Sequence, residues 1–177
     1  MVTLNQQTVE LPLDDLVKGE FPSVMALDPG GTTGWAYFNP AWSGVECGQI
    51  LGQHHMRLYE KLEELQPQLI VSESFQFRQF EGFDKSKVVL DSVEYIGIVK
   101  LYAQIERVSL VFQTASTAKH FVADLKLRRM GWYKPTAGMV HARDALRHLL
   151  YYLVVVQRIK EPITNKWFQK GNLIGDG

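Results

Sequence analysis

Residues 24–38 read VMALDPGGTTGWAYF. Four apolar residues run into Asp28, and Pro29, two glycines, two threonines and Gly34 follow before the chain turns apolar again. Two readings compete. In one, the glycines cradle a phosphate. In the other, Asp28 holds a metal and the glycines only turn the chain. A dinucleotide or P-loop site needs its glycine loop to open a helix, whose first N–H groups bind the phosphate. Here Gly34 is followed by Trp35, Ala36, Tyr37 and Phe38, which favour strand, and no Gly-Lys-Ser/Thr is present. The glycine turn is therefore expected to join two antiparallel strands and to leave Asp28 at the sheet edge. An actin-like hairpin loop gripping phosphate is the alternative. It needs a second large domain, for which 177 residues leave little room.

Outward from this stretch, LIVSESF (residues 69–75) repeats the pattern: a short apolar strand delivers a carboxylate, Glu73. If the two strands lie parallel and adjacent, Asp28 and Glu73 emerge at the same end. Two carboxylates that close repel unless one is protonated or a cation bridges them. Oxygen ligands of this kind suit Mg²⁺ or Mn²⁺. Taken singly, each acid reads better as a surface strand end. The third piece is HARDALRH, residues 141–148. His141, Asp144 and His148 share one helix face by their spacing. Ala142, Ala145, Leu146, Leu149 and Leu153 form the adjoining core stripe. A helix packed on the sheet by that stripe aims His141 and Asp144 at Asp28 and Glu73, with His148 one turn further out.

The rest of the chain supplies a frame for these pieces. Val24–Asp28, 34–38 and 45–51 read as three strands, followed by a helix over 54–65 that stops before Pro67. Leu69–Glu73 and Ser109–Gln113 read as strands separated by a long helix over 86–107. Helices over 117–129 and 138–158 follow, divided by Gly131-Trp132-Tyr133-Lys134-Pro135. Residues 1–20 show no clear period and read as an extension. The fold class is α/β, a mixed five-stranded sheet with three antiparallel strands, then parallel β-α units, and helices on both faces. RNase H-like and actin-like topologies share this order. The expected boundaries are an extension over 1–20, a domain over 21–160 and a tail over 161–177.

Composition fits a globular domain, with 46% hydrophobic residues. Cys47 is alone, so no intrachain disulfide forms, and no secretory signal is visible. A cytoplasmic location is expected, that of the host cell if the gene is phage-borne. The longest apolar run, residues 149–156, is too short to span a bilayer, and no membrane partner is expected. Net charge is zero, with 19 Lys and Arg against 19 Asp and Glu, which gives no overall nucleic-acid signal. Its distribution is uneven. Lys119, Lys126, Arg128, Arg129, Lys134, Arg143 and Arg147 face only Asp124 and Asp144 over 119–147, while residues 1–20 are acidic. The basic part suits phosphate contact, though on charge alone an ordinary solvated helix pair is the better reading.

Together, ALDPGGTTGWA, IVSESF and HARDALRHLLYYL resemble the RuvC family of Holliday junction resolvases, in the RNase H-like superfamily, and within it the phage-encoded branch. The likeness runs over about residues 24–156 in order and spacing. DPG alone is common; the series acid, acid, His-x-x-Asp-Ala is specific. The resemblance implies metal-binding catalysis by Asp28, Glu73, His141 and Asp144, with two Mg²⁺ or Mn²⁺ ions per active site and Asp28 bridging them. It implies that Lys119 meets the scissile phosphate, with Lys126 and Lys134 as candidates for a second basic contact. The family's aromatic wedge falls at Gln76 here, between Phe75 and Phe77, so Phe75, Phe77 and Arg78 become the DNA-binding candidates in FQFRQFEGF. Those phenylalanines read equally well as packing a loop onto the domain. The implied partners are branched DNA (four-way junctions, and also flaps and forks) and a second copy of the chain. The long helix over 86–107, with Val88, Val89, Val93, Ile96 and Ile98, is the expected dimer face. Rival readings are an RNase H-type nuclease cutting RNA in a hybrid, a non-catalytic nucleic-acid-binding module, and the actin-like nucleotide binder.

Overall fold

The computed structural model describes residues 7–13, 21–42, 44–52, 54–75, 91–159 and 163–168. Among these, six strands form one mixed sheet. They are β1 (Gln7–Pro12), β2 (Val24–Asp28), β3 (Thr32–Phe38), β4 (Gly44–Leu51), β5 (Leu69–Glu73) and β6 (Ser109–Gln113). The helices are α1 (His55–Leu65), α2 (Asp91–Ile105), α3 (Ala115–Phe121), α4 (Asp124–Arg129), α5 (Val140–Tyr151) and α6 (Ile163–Phe168). The strand order is β1-β4-β3-β2-β5-β6. β1 to β4 pair antiparallel where they meet, while β2–β5 and β5–β6 are parallel. This is the expected RNase H-like α/β class. No helix among the described residues is long and apolar enough to cross a membrane.

The sheet has six strands, not five, because Gln7–Pro12 pairs with β4. Leu11 and Leu13 are buried while Thr8, Glu10 and Pro12 face out, a period of two. Pro12 ends the strand, where a missing N–H costs little on an edge. Gly44 opposite it is required: a Cβ there would stand 2.5 Å from the Leu11 carbonyl oxygen. At the other end, α6 buries Ile163 and Trp167 in the core, so this helix belongs to the packing as well.

The helix expected over 117–129 is two helices. Thr114 caps α3 by accepting from the Thr117 N–H at 3.3 Å. The chain leaves the helix at Val122, whose side chain is fully buried. Ala123 is extended and starts α4. The helix expected over 138–158 is α5 followed by a wider π-helical turn at Tyr152–Val156, in which Gln157 N–H reaches the Tyr152 carbonyl. Val155 and Val156 are exposed there, so the apolar run is not buried throughout.

The sheet separates two cores. Val24 and Ala26 of β2, Ala36 and Phe38 of β3, and Val71 of β5 face α5 and its extension. Met25, Leu27, Trp35, Tyr37 and Ile70 face α1 and α2. Alternation then puts Asp28 and Glu73 on the α5 side.

Candidate active site

Five α5-facing residues, one from each of five strands, fall on one line across the sheet. Asp28 stands opposite Gly34, and Gly34 opposite Gln49. Leu27 stands opposite Ser72, so Asp28 and Glu73 are neighbours one step further along, and Glu73 stands opposite Gln113. The line reads Gln49, Gly34, Asp28, Glu73, Gln113. The corresponding line one pleat back is apolar: Cys47, Ala36, Ala26, Val71, Val111.

α5 lies across the polar line and answers it residue by residue. Gln49 Oε1 accepts the His141 backbone N–H at 3.0 Å, serving an otherwise unpaired donor of the first turn. Gly34 lets the helix in. A Cβ there would stand 2.0 Å from the His141 carbonyl oxygen and 2.7 Å from the Ala142 nitrogen, both backbone atoms. The third glycine of the opening stretch therefore makes room for a helix. His141 Nδ1 lies 2.8 Å from Asp28 Oδ2. Asp144, largely buried, is held by Lys119 Nζ at 2.9 Å and by Arg147 one turn along the helix. Arg147 also donates to Asp124 and, at 3.1 Å, to the Val122 carbonyl that the break between α3 and α4 leaves open. His148 is fully buried and stands between Glu73 and Gln113.

The charges at this point are coupled. Burial pushes the Asp28 carboxyl up from 3.8 to about 6. The His141 hydrogen bond opposes the rise, and Glu73 and Asp144 add to it. Lys119 is raised from its ordinary value chiefly by its bond to Asp144, with Glu73 and Asp28 adding their fields. One lysine thus serves three carboxylates.

Among the described residues, no group of three or more His, Cys, Asp and Glu side chains is drawn around a common point as for a metal ion. Each of the four expected ligands is instead paired with a neighbour in the protein. The donor chemistry nonetheless fits a hard divalent cation: three carboxylates and an imidazole meet at one sheet end, and a buried carboxyl is raised partly by two others. A cation relieves that repulsion.

The structure brings Asp28, Glu73, His141, Asp144 and Lys119 together. Phe75, exposed, lines a cleft of ~440 Å³ with Pro29, Glu73, Ile96 and Lys119. Lys126 is placed elsewhere. Its Nζ lies 4.4 Å from the Phe121 ring centre and 4.3 Å from that of Trp167, and donates to the Phe121 carbonyl. Burial lowers its pKa. It fastens α4 to α6 instead of facing a phosphate. Lys134 is exposed in the turn before α5. Beside it, the Tyr133 ring has the Arg128 guanidinium at 3.8 Å and that of Arg143 at 4.6 Å. Phe77 and Arg78 lie outside the described residues, as do Gln76, Val88 and Val89. The sequence reading missed Gln49, Gln113 and the inward position of His148. The signal for the two glutamines was parity: each faces the same side of the sheet as Asp28 and Glu73, Gln49 two residues before the end of β4 and Gln113 at the end of β6.

No protein-family profile and no curated protein matches the chain. Among solved structures, the chain is similar to Thermus thermophilus RuvC in complex with a Holliday junction substrate. That match has a TM-score of 0.56 and 18% identity, over 77% of this chain and 95% of that one. A second Thermus thermophilus RuvC structure matches with a TM-score of 0.52 and 17% identity, over 77% of this chain and 96% of that one. The fold is that of RuvC and its RNase H-like kin.

Proposed function

We propose that this chain is a metal-dependent, structure-selective endonuclease that cuts branched DNA, Holliday junctions first. The observation that carries this reading is the convergence of Asp28, Glu73, His141, Asp144 and Lys119 where α5 crosses the polar line of the sheet. The RuvC fold supports it, and the RuvC structure that holds a Holliday junction supplies the substrate class.

Asp28, Glu73 and Asp144, with His141, would hold Mg²⁺ or Mn²⁺, two ions per site. Bound there, the metal supplies an activated water and stabilises charge on the leaving oxygen. Asp28, paired here with His141, would serve as an anionic ligand. Lys119, exposed over half its side chain, exchanges Asp144 for the scissile phosphate. Arg147 keeps Asp144 in place through that exchange. Phe75, at the rim of the cleft, offers a ring on which an unstacked base can lie. A four-way junction is cut symmetrically by two sites, so we propose a homodimer. On α2, Val93, Leu101 and Ile105 are exposed apolar residues on the turns facing away from the core, while Ile96 is buried. The dimer face is drawn on the first three.

The test is Mg²⁺-dependent cleavage of matched four-way junction, flap, RNA–DNA hybrid and linear duplex. The reading predicts cutting of the junction well ahead of the duplex and hybrid. Cutting of the hybrid alone would favour the RNase H-type alternative. Binding to all four without cutting would favour a non-catalytic module.

A further inference from the structure

His148 is the most deeply placed ionisable side chain on α5, with its ring 1% exposed against 45% for His141. Its Nε2 lies 3.0 Å from Glu73 Oε2 and its Nδ1 lies 3.0 Å from Gln113 Oε1. Glu73 and Gln113 face each other across β5 and β6, so the imidazole closes a bridge between two strands and a helix. Glu73 as a carboxylate only accepts, so Nε2 carries the hydrogen and donates. Gln113 is itself buried, and its Nε2 has no hydrogen-bond partner. A half-turn of that amide puts the nitrogen on His148 Nδ1. The ring then keeps its N–H on the Glu73 side.

The surroundings make this bridge costly as packing alone. Ala145 and Leu149, beside His148 on α5, are fully buried and apolar. An apolar side chain at 148 would extend that stripe without burying an imidazole, an amide and part of a carboxylate. What the bridge adds is direction. It occupies one Glu73 oxygen, fixes the carboxylate plane, and leaves Oε1 as the oxygen for an incoming ligand.

We propose that His148, itself oriented by Gln113, is a positioning residue for Glu73, fixing that carboxylate for a divalent cation. This rests on the metal reading of the site given above. It separates two histidines of one helix: His141 meets the cation, and His148 acts through Glu73. Groups that orient a metal ligand from behind typically change metal affinity by about 10–100-fold.

The test is calorimetric titration of DNA-free protein with Mn²⁺, alongside thermal melting and junction cleavage, for His148→Leu, His148→Gln and Gln113→Met. Glutamine can place its amide nitrogen near the position of imidazole Nε2. His148→Leu should weaken Mn²⁺ binding by roughly 10–100-fold and raise the metal concentration needed for cutting. His148→Gln should recover most of that loss, and Gln113→Met should fall between. Junction affinity without divalent ions should not change. A folded His148→Leu that binds Mn²⁺ as the unaltered chain does would overturn the proposal, whatever its melting temperature. If His148→Leu fails to fold, the other two decide: wild-type Mn²⁺ affinity in both overturns it, and a graded loss supports it. An unaltered chain that neither binds Mn²⁺ nor cuts would overturn the metal reading and this inference together. Mn²⁺ binding that is indifferent to residue 148 would overturn this inference alone.

Discussion

Near the site the two faces of the sheet carry side chains of opposite size, while Val24 and Phe38 fill the α5 side further from it. Toward α1 and α2, β2 and β3 present Met25, Leu27, Trp35 and Tyr37, all buried. Toward α5 they present Ala26, Ala36 and Gly34, with Cys47 next to them on β4. The first face is filled by bulk, and its polar groups serve structure: Tyr95 Oη spans Gly52 and His54, and Tyr102 Oη donates to the Leu62 carbonyl. The second face is emptied so that a helix backbone can touch a strand backbone. That contact brings side chains of α5 to carboxylates at strand ends. Bulk gives stability that tolerates repacking; close approach gives a geometry that one methyl group destroys.

The contrast is sharpest at Gly34. Gly34→Ala drives a methyl into the His141 backbone, so it should destabilise by about 3 kcal/mol or more and abolish cutting. Leu58→Ala, on the bulky face, should cost a similar 2–5 kcal/mol yet leave the cutting rate of the folded fraction near normal. Denaturant melts paired with cleavage assays check both. Equal losses of activity per folded molecule would break the distinction between the faces.

Within the site, Asp144→Asn should lower the cutting rate by roughly 10²–10³-fold, whereas His141→Asp should stay within about tenfold. The aspartate keeps an acceptor on the same helix face, and added negative charge beside divalent ions is attracted. Rates at saturating Mg²⁺ and Mn²⁺ check the pair. Equal inactivity would mean that residue 141 must be an imidazole. Lys119→Ala should weaken all DNA forms alike and reduce the log–log salt slope by about 1, as a phosphate contact does. Binding isotherms across salt concentrations measure it, and a sequence-selective loss would point to base readout. The smallest effect on chemistry belongs to the bulky side. Leu101→Glu should dissociate the proposed dimer, seen by light scattering, without changing metal binding. A chain already monomeric at micromolar concentration would remove that dimer face.

Local pattern made β2, β5 and β6 readable to their ends, because each is a short apolar run closed by a polar residue. The acids were readable for the same reason, and His141 with Asp144 from helical spacing. β1 was not: a polar start and Pro12 disguise its alternation, and its stability comes from β4 far along the chain. The break at Val122 was not, because a buried valine in a helical stretch carries no breaker signal. Gln49, Gln113 and His148 were not, because their roles depend on which strands become neighbours. In the sequence Gly34 reads as the residue where a glycine turn passes into the second strand. Its function is steric, and only the position of α5 reveals it.

Asp28→Asn tests the central claim most directly. In the absence of metal, the folded protein holds the Asp28 proton with a pKa of about 6 against a usual 3.8. Folding therefore favours the protonated form, and the contribution of Asp28 to stability should rise as pH falls through 6 toward 4. Asparagine removes the buried charge, so the variant should be more stable than wild type at pH 7.5, by on the order of 2 kcal/mol. That advantage should fade as pH drops through 6. The decisive reading is the rate at which this folded variant cuts a four-way junction in Mg²⁺. The account predicts a fall of about 10³-fold or more. Cutting at close to the wild-type rate would contradict it.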